Sequence, residues 1–139
     1  MNPLGADGSD AYGGRMATVR TFQVTFDCAD PARVARFWCE VLGYEMPDGV
    51  DCVAQDPTGV GPRMYFQKVP EGKVVKNRVH LDVRVGTGLV GDERLAALRA
   101  EQARLEPLGA VHLWTQLADG EEESCITMQD VEGNEFCLD

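Results

Sequence analysis

The chain has 139 residues, 44% of them hydrophobic, enough for one domain with a sizeable core. A formal net charge of −10 argues against nucleic acid or an anionic membrane surface as partner, because both would repel it. No apolar run approaches the ~20 residues needed to span a bilayer, so a protein outside the membrane is expected.

Residues 1–17 are rich in Gly, Asp and Ser, lack the charged-then-apolar order of a signal peptide, and read as a flexible tail, with Met16 a candidate native start. The first strand spans about 21–28, where Phe22, Val24, Phe26 and Cys28 alternate with Thr21, Gln23, Thr25 and Asp27. A period of two with one oily face predicts an antiparallel-type strand covered on one side only. Asp30-Pro31 then suits a helix start, Val34, Phe37, Val41 and Leu42 recur at helical spacing, and Gly43 suits the end. Trp38 lies beside that stripe and is assigned to core or interface. Strands at about 44–46 and 51–55 follow, and a fourth carries Arg63, Tyr65 and Gln67 on one face.

A fifth strand sets Val79, Leu81, Val83 and Val85 against Arg78, His80, Asp82 and Arg84. A second helix, between Asp92 and Pro107-Leu108-Gly109, carries the stripe Leu95, Leu98 and Leu105. Strands at about 111–115 and 124–129 lead to the turn Asp130-Val131-Glu132-Gly133-Asn134, after which Glu135 and Cys137 oppose Phe136 and Leu138. Five cysteines with no CxxC pair read as reduced, mostly buried thiols and favour a cytoplasmic location.

The order strand, helix, three strands therefore occurs twice, at about 18–70 and 77–139. Halves of that size are too small to be comfortable alone, so a single domain over 18–139 is expected. Its class is α+β: two tandem βαβββ modules forming one curved eight-stranded cup, with the helices on the apolar faces and the polar faces lining one concavity. Gln23 and His80 occupy equivalent places in the two copies.

Asp27-Cys28-Ala29-Asp30-Pro31, Phe37-Trp38, Leu42-Gly43, the run from Tyr65 to Glu71, Lys76 to Val83, and Asp130 to Cys137 together resemble the vicinal oxygen chelate superfamily. That superfamily includes glyoxalase I, extradiol dioxygenases and bleomycin-resistance proteins, and the chain is most similar to its small bacterial glyoxalase-like domain proteins. The resemblance covers about 19–139. It implies one divalent metal in the cup, Ni, Zn, Co, Mn or Fe, held by side chains from the first and last strands of each module. By position these are Gln23, His80 and Glu135, with Tyr65 or Gln67 in the fourth strand and Gln67 slightly favoured. Glu135 could alternatively act as a general base beside a carbonyl. The donor set is poor for such a metal, with one imidazole, one carboxylate and amide oxygens.

Two readings follow from the resemblance. One is a metal-dependent lyase, isomerase or dioxygenase-like enzyme acting on a small organic molecule. The other is a metal-free drug- or metabolite-binding protein of bleomycin-resistance type, with Tyr65 and Trp114 as candidate pocket walls. Lys68, Lys73, Lys76 and Arg78, with Arg63 before them, form either a solvated linker or a basic lip for a small anionic ligand, Arg78 being best placed. His80 also has Asp82 or Glu135 as simple partners, His112 is assigned to structure or surface, and Cys137 is read as a buried bystander near the cup. A homodimer is expected.

Overall fold

The computed structural model describes residues 17–139, so the expected tail lies outside the described residues except for its last position. The first module runs β1 (Gln23–Cys28), α1 (Pro31–Leu42), β2 (Val53–Ala54) and β3 (Arg63–Lys68). The second runs β4 (Leu81–Val83), α2 (Gly91–Leu105), a 3-10 turn (Glu106–Leu108), β5 (Val111–Gln116), β6 (Cys125–Gln129) and β7 (Glu135–Leu138).

The local chemistry explains the elements. Asp30 caps α1 by accepting the Arg33 amide at 3.3 Å, and Pro31 opens the first turn, where its missing N–H costs nothing. Val34, Phe37, Trp38 and Val41 are buried on one face. The two Leu-Gly pairs end their helical stretches alike, for Gly43 and Gly109 both take positive φ, 67° and 112°. α2 has no side-chain cap at Val90 and buries Leu98 and Leu105, while Leu95 remains half-buried.

Both modules repeat one strand order. The first sheet is β1-β3-β2 and the second β4-β7-β6-β5, so each module's first strand lies beside its last. Those pairs, β1–β3 and β4–β7, are parallel, whereas the remaining pairs are antiparallel. This corrects the antiparallel expectation for the first strand of each module. A helical crossover returns the chain in the same direction, and one-sided cover yields the same alternation in either orientation. Seven strands form among the described residues; the expected strand at 44–46 is a single bridge, Glu45 to Gln55. β4 is shorter than expected and leaves Arg78 and His80 just ahead of it. The two sheets share no ladder among the described residues.

What joins the halves is the core. Trp38 and Phe66 from the first module are fully buried with Leu98, Leu105, Ile126, Met128, Phe136 and Leu138 from the second. Phe136 meets Trp38 edge-on at 5.1 Å and Phe37 at 6.0 Å. Asp130, also buried, accepts the Trp38 indole N–H at 3.1 Å. Its carboxylate also takes the Glu132 and Asn134 amides at 2.9 and 3.0 Å, which shapes the β6–β7 turn. The same turn reaches back to the first helix, because Glu132 accepts the Ala29 and Asp30 amides, both at 2.7 Å.

Candidate functional site

The shortened β4 sets its polar side chains against β7. Asp82 pairs in register with Cys137, and alternation puts His80 on the same face, opposite the core-packed Leu81 and Val83. His80 Nε2 lies 3.1 Å from Asp82 Oδ1. One ligand atom each from His80, Asp82 and Cys137 falls within 4.8 Å of the others. Cys137 is buried, and its sulfur has a long contact of 3.5 Å with Thr127 Oγ1 of β6.

Glu135, two residues earlier on β7, is committed elsewhere. Its Oε1 accepts Lys73 Nζ at 3.0 Å, its Oε2 accepts the Asn77 amide at 3.0 Å, and its backbone carbonyl accepts Asn77 Nδ2 at 3.2 Å. Burial pushes the carboxyl up, but the Asn77 amide and then Lys73 outweigh it and hold the group below its ordinary value. Glu135 is thus an ionised strut that pins the segment between the modules.

The first sheet carries the remaining expected ligands. Gln23 is exposed and donates to Thr25 Oγ1 at 3.5 Å. Register sets Gln23 beside Arg63, Thr25 beside Tyr65 and Asp27 beside Gln67. Gln67 therefore lies four residues along from the position facing Gln23, about 13 Å at strand rise. The last-strand residue facing Gln23 is a cation, Arg63, and a cation cannot ligate a metal. Trp114, 56% exposed, projects from β5 at the far side of the second sheet. Of the expected ligand-binding residues Tyr65, Trp114 and Arg78, only Arg78 lines the cleft between β1 and β4.

That cleft has a volume of about 740 Å³ and lies between β1 and β4, roofed by the segment 69–79. Val24, Phe26, Val75, Val79 and Leu81 give it an apolar lining, and Lys73, Asn77 and Arg78 a polar side. Asp27, Glu71 and Glu132 also border it. Lys73 is neutralised by Glu135, whereas Arg78 makes no ion pair among the described residues. Of the expected basic lip, Lys73 and Arg78 line the cleft, and Arg78 is the one of these two that carries no ion pair.

Residues 23–138 match the family described as glyoxalase-like domain. The chain belongs to that family. Its glyoxalase-like architecture is shared with solved structures of the vicinal oxygen chelate superfamily at low identity. A glyoxalase/bleomycin resistance protein/dioxygenase family enzyme from Burkholderia phytofirmans superposes with a TM-score of 0.60 at 14% identity, over 84% of this chain and 94% of that one. The fosfomycin resistance protein FosX from Mesorhizobium loti gives 0.60 at 16% identity, over 88% and 92%. A FosX point mutant from Listeria monocytogenes, complexed with Mn(II) and a dihydroxypropylphosphonic acid, gives 0.62 at 12% identity, over 88% and 90%. No curated protein matches the chain in sequence.

The metal implied by the resemblance does not fit the expected donors of this glyoxalase-like domain as they stand. Both carboxylate oxygens of Glu135 are already hydrogen-bonded, to Lys73 and Asn77, His80 is turned to Asp82, and Gln23 bonds its own strand. Sequence reasoning placed Asp82 among the partners of His80, as the structure has it, but missed what holds Glu135. Lys73 and Asn77 lie in a segment with no periodicity to place them, and a 58- to 62-residue separation from Glu135 leaves no local signal. The Asp82–Cys137 adjacency follows from parallel register, which was not anticipated.

Proposed function

We propose that this glyoxalase-like protein binds a small organic molecule in the cleft between β1 and β4. The ligand's apolar body lies against Val24, Phe26, Val79 and Leu81, and an anionic group meets Arg78. The observation that carries this reading is the cleft itself: at about 740 Å³ it falls within the ~300–1,000 Å³ typical of small-molecule sites. Binding there needs no metal, in keeping with a drug- or metabolite-sequestering role. The FosX neighbour complexed with a phosphonic acid is consistent with a small anion as ligand class.

Metal-dependent lyase, isomerase or dioxygenase-like chemistry is the second reading, favoured by the Mn(II) in that neighbour. It requires Lys73 to leave Glu135. As a general base Glu135 is weak while hydrogen bonds hold its carboxyl below the ordinary range. The expected homodimer has candidate contact residues in Val111, Leu113, Trp114 and Leu117, all exposed on or beside β5.

The test is a thermal-shift and calorimetric screen of small carboxylates and phosphonates, repeated with Arg78→Glu and with Val79→Trp, which narrows the cleft at an exposed position. Loss of a charge-assisted hydrogen bond predicts about tenfold or more weaker binding of anionic hits to Arg78→Glu. Hits that bind both variants as tightly as the wild type would place the ligand elsewhere.

A further inference from the structure

Three side chains from two adjacent strands converge on the polar face of the second sheet, and none is used by the cleft. His80 and Asp82 come from the β4 segment and Cys137 from β7, with Asp82 and Cys137 direct register partners. We propose that His80, Asp82 and Cys137 form a site for one thiophilic divalent cation, zinc by chemistry, displaced along the strands from the positions the family resemblance implies.

The donor chemistry favours such an ion. Imidazole, carboxylate and thiolate are the ordinary zinc donors, and thiolate disfavours hard cations such as magnesium or calcium. Thiolate and carboxylate together supply two negative charges against the cation's two positive ones. The set at Gln23, His80, Glu135 and Gln67 supplies one, and Lys73 already neutralises it.

The geometry needs little change. Zinc bonds of about 2.0–2.3 Å in a tetrahedron set donor atoms about 3.5 Å apart. His80 Nε2 and Asp82 Oδ1 are already at 3.1 Å, and the whole trio lies within 4.8 Å. Neighbouring strands hold two of the donors in register, which makes the site more precise than one built on loops. Cys137 is buried on the sheet side, while His80 and Asp82 are exposed toward solvent. Three protein donors thus leave a fourth position open on the solvent side, the pattern of zinc sites that take water or an exogenous ligand.

The proposal is independent of the cleft reading, since its readout is the metal alone. Co(II), a spectroscopic stand-in for zinc, is titrated into the reduced full-length chain. The expected result is a near-ultraviolet thiolate-to-cobalt band that saturates at one equivalent and is bleached by Zn(II). Cys137→Ser loses the band. His80→Ala and Asp82→Asn, both at exposed positions, weaken binding by at least about tenfold, because even outer-sphere partners of metal ligands are worth that much. Cys125→Ser, which removes the thiol contacting Cys137, and Glu135→Gln both keep the band. Circular dichroism melts without metal establish that each variant is folded. The proposal is overturned by a band that survives in folded Cys137→Ser, by one lost in Cys125→Ser or Glu135→Gln, or by the absence of saturable binding.

Discussion

Replacing Asp130 by Ala tests whether the two modules are joined through the Trp38–Asp130 contact. The indole N–H sits in a side chain with 0% exposure, against a carboxylate with 2%, so water cannot replace the lost acceptor. An orphaned buried donor costs about 1–3 kcal/mol, and the Glu132 and Asn134 amides released in the turn add about 1 kcal/mol more. The total is about 3 kcal/mol. For a chain of this size 1 kcal/mol corresponds to about 4 °C, so the melting temperature should fall by about 12 °C. Asp130→Asn keeps one acceptor oxygen and should lose roughly half as much. Trp38→Phe removes the donor, so a double-mutant cycle with Asp130→Ala should return a coupling of about 1–2 kcal/mol. A fall under about 3 °C in Asp130→Ala, or a coupling indistinguishable from zero, would refute the argument.

Other outcomes follow from the same structure. Glu135 has a folded pKa below its ordinary 4.5, so its contribution to stability is present above that value and lost as pH falls through the lowered one. The difference in melting temperature between wild type and Glu135→Gln should be full at neutral pH and shrink in acid; a gap unchanged from pH 7 to about 3 contradicts this. Cys28 is pushed up to about 11, chiefly by burial and then by Glu132, and Cys125 to about 12, by burial and then by Cys137. At about pH 8 both should alkylate more than about 100-fold more slowly in the native protein than after unfolding, measured by mass spectrometry of labelled peptides. Equal rates in the two states would show that the thiols are not sheltered.

The fold was legible because its signals are local. Alternation along 23–28 and 63–67 assigned the faces correctly, with Val24, Phe26, Met64 and Phe66 inward and Gln23, Thr25 and Gln67 exposed, whereas Phe22, expected on the covered face, lies ahead of β1 and is exposed. Asp30-Pro31 and Gly43 marked the ends of α1. The site was legible only in part, because its determinants are non-local. Parity placed His80, Asp82 and Cys137 on one face, but only strand register shows that Asp82 and Cys137 touch. Likewise Gln67 had the right face and the wrong height, since parity cannot count residues along a ladder. Trp38 was rightly assigned to the core, yet its polar partner, 92 residues away in a turn read by composition alone, carried no sequence signal.

The two hairpin turns that precede the last strand of each module show what duplication has done to this chain. Asp56 arranges the first turn as Asp130 arranges the second, accepting the Thr58 amide at 2.8 Å and the Gly61 amide at 2.7 Å. Thr58 and the backbone amides hold the Asp56 carboxyl below its usual range, and its hydrogen bonds among the described residues all come from its own turn. Asp130 has taken on Trp38, and its neighbour Glu132 has taken the start of α1. One copy of the turn is therefore constrained within its own module, where Gly61 sits against Tyr44, while the other is bound to its sister module and can change only together with Trp38. Symmetry of backbone persists here with unequal freedom to evolve.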